Sequence, residues 1–366
     1  MERVRNRVAA AILAGLIVSM SSYDLIYFPL QKPPSETGSR HLGLRRSLSI
    51  WRSDYRKNRS VNPMFQDRIK PLTSTPDPEK ETVIFWHIPK SGGTTLKSLY
   101  KCMRQALAVR VGVDPRYGHQ DDKEVMAFEP GNMGALFVNV DTLSREGILR
   151  AKKMGLVPSG KADLIVTSGA LGFAIEHLYD RSYKGRVVAL FRNPVERLIS
   201  KFYYSQVATW ERSYRPEWKD IDIEYWAVHI NRENDMMVKT LAGLGLEDEV
   251  TEADLRIAIK TLRQLFIIGL MSQMEESIHR FNIFMGIDES DENMKMCMDE
   301  YFGHGVRKEN SNPHPKVKEG SPGWQILAEK NSFDLRLYES IVVLFDEQKE
   351  IISSYAKSVA GPKGVE

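Results

Sequence analysis

Two segments of the chain carry residue types suited to holding phosphate groups. The first, Val83-Ile-Phe-Trp-His-Ile-Pro-Lys-Ser-Gly-Gly-Thr-Thr95, is an apolar run that breaks into a short polar loop. Gly92 and Gly93 let that backbone turn tightly and gather several N–H groups at one point. Ser91, Thr94 and Thr95 add hydroxyls, and Lys90 adds a positive charge on a flexible stem. The second, Val187-Val-Ala-Leu-Phe-Arg-Asn-Pro-Val-Glu-Arg-Leu-Ile-Ser200, is another apolar run that ends in Arg192, with Ser200 farther on. Each looks like a buried strand delivering an anion-binding loop. Together they suggest a nucleotide with two separate phosphate groups.

The elements needed to position these residues are legible in the same stretches. Val83 to Ile88, Asp163 to Thr167 and Arg186 to Phe191 are short apolar runs rich in β-branched and aromatic residues, as expected of strands buried on both faces. Leu96, Leu99, Tyr100 and Met103 recur at helical spacing, so a helix should start near Thr94. Pro194 suits a first helical turn, and Val195, Leu198, Ile199 and Phe202 supply the apolar stripe that follows. Ser200 then falls two turns into that helix and can converge with Arg192 on one anion. The expected fold is α/β, a P-loop-like three-layer sandwich with a central parallel sheet flanked by helices. A Walker A loop is excluded, because there the lysine follows the glycines and here Lys90 precedes them. Taken singly, each motif also admits a plain reading: a glycine turn between strand and helix, and a helix-facing arginine with a solvated serine.

The string His87-Ile-Pro-Lys-Ser-Gly-Gly-Thr-Thr95 resembles the 5′-phosphosulfate loop of Golgi carbohydrate sulfotransferases, especially the heparan sulfate 2-O- and 6-O-sulfotransferase group. Arg192, Pro194, Arg197 and Ser200 match that family's Arg-x-Pro-x-x-Arg-x-x-Ser segment, whose arginine and serine, matched here by Arg192 and Ser200, hold the 3′-phosphate. Weaker similarity continues through Asn231 to Gly243 and through Phe266-Ile-Ile-Gly-Leu270. It extends to Arg307-Lys-Glu-Asn-Ser-Asn-Pro-His-Pro-Lys316, where Arg307 and Lys308 would form a basic loop over the nucleotide, and to Asp334 to Phe345 as a closing helix. The resemblance implies a co-substrate, 3′-phosphoadenosine 5′-phosphosulfate (PAPS), no metal, and a glycan acceptor rather than a nucleic acid. Lys90 would stabilise charge on the leaving phosphate.

Such a transfer also needs a base for the acceptor hydroxyl, often His or Glu. The related heparan sulfate enzymes carry a histidine after the middle strand, but in Thr167-Ser-Gly-Ala-Leu-Gly-Phe-Ala-Ile-Glu-His177 that place is taken by Ala170. Glu176 and His177 follow on the same segment and are the candidates, with His119 more distant and His87 inside a strand. Two classes of function follow: a sulfotransferase acting on a glycan or another hydroxyl acceptor, and a nucleotide-binding protein of the same fold with altered or lost catalysis. A phosphate-transferring kinase is a third, disfavoured by the lysine's position.

The ends of the chain set its expected address. Arg3, Arg5 and Arg7 precede an uncharged stretch from Val8 to Tyr23. That stretch is short for a membrane-spanning helix, which needs about 20 apolar residues. Residues 8–30 are expected to be a signal anchor, with a cleaved signal peptide as the alternative. Residues 1–7 would then be cytosolic, giving a single-pass type II Golgi membrane protein with its C-terminal domain in the lumen. Residues 31–80 are polar and proline-marked, as in a stem; residues 81–356 form the domain and 357–366 a tail. Residues 1–80 carry 14 Lys and Arg against 7 Asp and Glu, so the formal net charge of +3 belongs to this segment and not to a basic catalytic surface. Asn58-Arg-Ser60 is a glycosylation sequon. The two cysteines, Cys102 and Cys297, suit either one disulfide in an oxidising compartment or two buried thiols.

Overall fold

The computed structural model describes residues 61–303 and 314–359, apart from residues 75, 76, 78, 79 and 133. Seven strands form one sheet: β1 (Glu81–Trp86), β2 (Leu107–Ala108), β3 (Ala127–Phe128), β4 (Phe137–Val138), β5 (Leu164–Thr167), β6 (Lys184–Phe191) and β7 (Phe266–Leu270). Their spatial order is β3-β4-β2-β5-β1-β6-β7, with every pairing parallel except β3 with β4. The protein is therefore α/β around a mostly parallel sheet.

Burial explains the near-continuous apolar runs. Side chains along β1 alternate between two cores: Ile84 and Trp86 join one, Phe85 the other. On the first face, Ile84, Trp86, Ile165 and Val187 pack with α2 (Arg145–Met154), α3 (Leu171–Leu178), α5 (Met236–Ala242), α6 (Glu252–Leu265) and α10 (Ser332–Glu347). The second face, with Phe85, Val166, Val188 and Ile267, takes α1 (Gly93–Cys102), α7 (Met274–Met285), α8 (Glu292–Phe302) and α11 (Lys349–Val359). A smaller cluster joins α4 (Pro194–Ser205) to Ile223, Trp226 and Leu327, the last from α9 (Pro322–Lys330). Helices thus cover both faces, an arrangement compatible with a three-layer α/β sandwich.

β1 lies between β5 and β6. The chain builds β2 to β5 on one side of it and β6 and β7 on the other. In open α/β sheets the crevice beyond the carboxyl end of such a strand is where ligands bind. Both expected phosphate loops leave the sheet at that edge, one after β1 and one after β6.

Two features differ from the sequence reading or complete it. Part of the stretch assigned to the stem is packed: Val61, Phe65, Ile69 and Leu72 are buried, and Lys70 N–H donates to the Gly185 carbonyl at 3.0 Å. Four apolar residues scattered among prolines and charges lack a period, and only the β6 edge and α6 give them a place. Cys102 and Cys297 form a disulfide that ties the end of α1 to α8. Among the described residues no helix is long and apolar enough to cross a membrane. Residues 8–30 lie outside them, as do the sequon and the basic pair Arg307 and Lys308.

Candidate functional site

The site is built on the turn between β1 and α1. After Ile88 the chain folds back, with Ser91 N–H donating to the Ile88 carbonyl at 3.3 Å. Lys90 adopts φ 66°, a left-handed conformation that costs a non-glycine residue on the order of 1 kcal/mol. Gly92 follows at φ 88° and opens α1 with no side chain to cap it. Gly93 is required for a different reason: a Cβ there would lie 2.0 Å from Cδ2 of His87. The first turn of α1 therefore rests directly on the His87 ring. Ser91 is buried, and its hydroxyl has no hydrogen-bond partner among the described residues. Thr95 is buried beside it, and Thr94 is half-buried.

The second loop meets the first. Arg192 leaves the end of β6, and its Nη1 donates to the Lys90 carbonyl at 3.3 Å. Its Nε makes a long 3.4 Å contact with Glu196, which is itself 60% exposed. Glu196 is one turn along from Arg192, and Ser200 is one turn beyond Glu196, so Ser200 shares the stripe and is half-buried. Unlike α1, α4 is already capped: the Asn193 side chain accepts from Val195 and Glu196 N–H at 3.0 and 3.2 Å. Arg197, the other arginine of the segment, is wholly buried and paired with Glu233 at 3.0 Å, so its place is in the core.

Two residues that the sequence reading missed complete the crevice. Tyr204, one turn past Ser200, lies under Lys90, whose Nζ is 3.2 Å from the ring centroid. The Tyr204 hydroxyl donates to Glu211 Oε1 at 3.1 Å. Tyr338 of α10 is the other, half-buried, bonded to Ser272 and within the fields of Glu196 and Arg192.

The electrostatics are those of crowded cations. Burial draws the Lys90 ammonium down to about 7, Glu211 opposes that, and Arg192 adds to it. Burial, then Lys97 and Lys90, push His87 well below the usual imidazole range, so its ring is neutral. Lys97 is buried on α1, and burial and Lys101 lower its pKa while Glu211 raises it. An anion entering here would meet an uncapped helix start, an unpaired buried hydroxyl and two cations converging from separate loops.

The candidate bases lie on α3 and near β3. Ala170 begins α3 without a side-chain cap. Glu176 is exposed on the helix's outer side. His177 Nδ1 lies 2.9 Å from the Phe173 carbonyl, and its ring stacks on Phe173 at 3.9 Å. Among the described residues no hydrogen bond or ion pair joins either to Lys90 or Arg192. His119 is held by Asp122 at 2.9 Å and lies against Phe128 near the β3 edge. The loop carrying Arg307 and Lys308 is outside the described residues; just downstream, His314 stacks on Tyr203 of α4 at 4.8 Å.

No family model matches this sequence, and no curated protein matches it either.

Proposed function

We propose that the protein is a PAPS-dependent sulfotransferase with a P-loop-like nucleotide site, acting on a glycan hydroxyl in the Golgi lumen from a single-pass type II anchor. The observation that carries this reading is the hydrogen bond from Arg192 to the Lys90 carbonyl, which brings two separately encoded anion loops to one edge of the sheet. The residues fit a nucleotide with two phosphate groups. Ser91, Gly92, Gly93, Thr94 and Thr95 would hold the 5′ end at the start of α1, and Arg192 with Ser200 the 3′-phosphate. Lys90 would stabilise charge on the leaving phosphate oxygen as the acceptor oxygen displaces it in line. Arg192 must trade its weak contact with Glu196 for the ligand. The Cys102–Cys297 disulfide suits an oxidising secretory compartment.

The test is transfer of labelled sulfate from PAPS to a panel of polysaccharides, tyrosine peptides and small alcohols. Incorporation into a polysaccharide is the expected result. A second reading, a PAPS-binding protein with altered catalysis, is favoured by one observation: among the described residues no hydrogen bond or ion pair joins Glu176 or His177 to Lys90 or Arg192. Tight binding of 3′-phosphoadenosine 5′-phosphate with no transfer to any acceptor would select it.

A further inference from the structure

Lys90 is placed unusually for a lysine expected to act on a ligand. Its backbone is in the left-handed region, and its ammonium lies flat against an aromatic face instead of reaching into solvent. That face belongs to Tyr204, a buried side chain whose hydroxyl is engaged by Glu211. Glu211 comes from the segment that follows α4 and turns inward, while its neighbours Trp210 and Arg212 are exposed. The ring and the carboxylate thus form one unit, since the same tyrosine contacts the lysine with its face and the glutamate with its hydroxyl.

The surroundings explain why such a unit is needed. Arg192 reaches the Lys90 carbonyl from the β6 loop, Lys97 comes from α1 and His87 from the residue just after β1, and none of these supplies negative charge. Among the described residues, Glu211 is the carboxylate acting on Lys90. A desolvated ammonium among other cations sheds its proton unless a countercharge or a π face compensates. We propose that Tyr204 and Glu211 are positioning residues for Lys90: the Tyr204 ring fixes where the ammonium rests, and Glu211 supplies the countercharge that lets it remain there. The catalytic meaning of this unit rests on the sulfotransferase reading, in which the ammonium is handed from the Tyr204 ring to the leaving phosphate. Its physical content does not.

The test follows Lys90 itself by NMR, using the ε-carbon resonance of protein labelled at lysine and assigned by its loss in Lys90→Arg. The midpoint in the wild type is expected near 7, with an upfield ring-current displacement from Tyr204. Glu211→Gln should lower the midpoint by at least about one pH unit. Tyr204→Phe should keep the ring-current displacement and lower the midpoint less, and Tyr204→Leu should abolish the displacement. An unchanged midpoint in Glu211→Gln, or an unchanged displacement in Tyr204→Leu, would overturn the assignment. Should Tyr204→Leu fail to fold, a wild-type resonance without the displacement, or an unchanged midpoint in Glu211→Gln, still overturns it. No nucleotide is present in these titrations. Calorimetry of wild-type protein with 3′-phosphoadenosine 5′-phosphate reports separately on the nucleotide reading.

Discussion

Helix α4 carries two arginines whose settings differ sharply. Arg197 has no exposed side-chain surface and is bound to Glu233, which also pairs with Lys201 at 3.2 Å. Burial works against the Glu233 carboxylate, yet Arg197 and then Lys201 prevail and hold it down at about 2. Behind this group the helices cap one another: Asp334 accepts from Met237 and Val238 N–H, and Asp235 accepts from Phe333 and Asp334 N–H. The Arg197–Glu233–Lys201 group is matched charge for charge, whereas burial outweighs the helix N–H bonds at the two aspartates and draws both carboxyls up, Asp334 to about 7. Arg192 instead keeps 20% of its side chain exposed, touches one exposed carboxylate at long range, and faces Lys90. The matched group around Arg197 belongs to the core, whereas Lys90, Arg192 and Lys97 face, among the described residues, the one inward carboxylate of Glu211, as the proposed anion site requires. The contrast separates two residues that one motif groups together.

The largest effect should come from breaking the compensated side. Arg197→Ala leaves Glu233 buried with only Lys201 against it, and removing one partner of a buried pair costs about 3–5 kcal/mol. Chemical denaturation should show that loss, and a change below about 1 kcal/mol would remove Arg197 from the core. Lys90→Ala should act oppositely. Turnover should fall on the order of 10²–10³-fold, as for loss of a group aimed at a developing oxyanion, with the melting temperature unchanged. Near wild-type kcat would show that another group serves the leaving oxygen.

Arg192→Ala should be smaller and more selective. A charged hydrogen bond is worth about 1.5–3 kcal/mol, so 3′-phosphoadenosine 5′-phosphate should bind at least about tenfold more weakly, with AMP little affected. Equal losses for both ligands in calorimetry would show that Arg192 does not read the 3′-phosphate. The pH dependence sharpens the same contrast. The Lys90 ammonium is charged below about 7 and loses its proton as the pH rises through that value, so nucleotide affinity should decline above neutrality. Bound phosphate favours the charged form, and the midpoint should therefore rise in the complex.

How much of this could be read from the sequence depended on the range of the interaction. β1, β5 and β6 are apolar runs with polar or turn residues close by, and α1 and α4 carry helical stripes, so each was visible locally, whereas β7, set between Leu265 and Met271, and α10 entered only through the resemblance. β2, β3 and β4 are two residues long and carry no periodic signal; they exist because a neighbouring strand offers an edge. Lys90 and Arg192 were legible because each closes its own motif. Glu211 was not, since only the path of the chain after α4 turns it toward Tyr204. Tyr204 did leave a trace: Arg192, Glu196, Ser200 and Tyr204 are spaced four apart, and following that stripe one step past Ser200 finds it. The disulfide depended on packing of α8 against α1, which no spacing of two cysteines reveals.

The smallest effects are expected where the sequence alone pointed to a base. Glu176 is exposed and His177 is engaged with Phe173 of its own helix, whose ring also lies 4.6 Å from the Arg145 guanidinium. These contacts belong to the surface of α3, and none leads to Lys90. Glu176→Gln should therefore leave kcat/KM within about threefold of wild type, in line with surface substitutions that change free energy by about 0.5 kcal/mol. His177→Ala should cost somewhat more stability, because the stack on Phe173 is lost, but no more turnover. A rising limb in the pH profile of kcat/KM that disappears in His177→Ala would contradict this and bring α3 into the site. If such a limb persists in His177→Ala, the proton acceptor is another group at the crevice. Glu211, already turned toward Lys90, is then the next residue to replace.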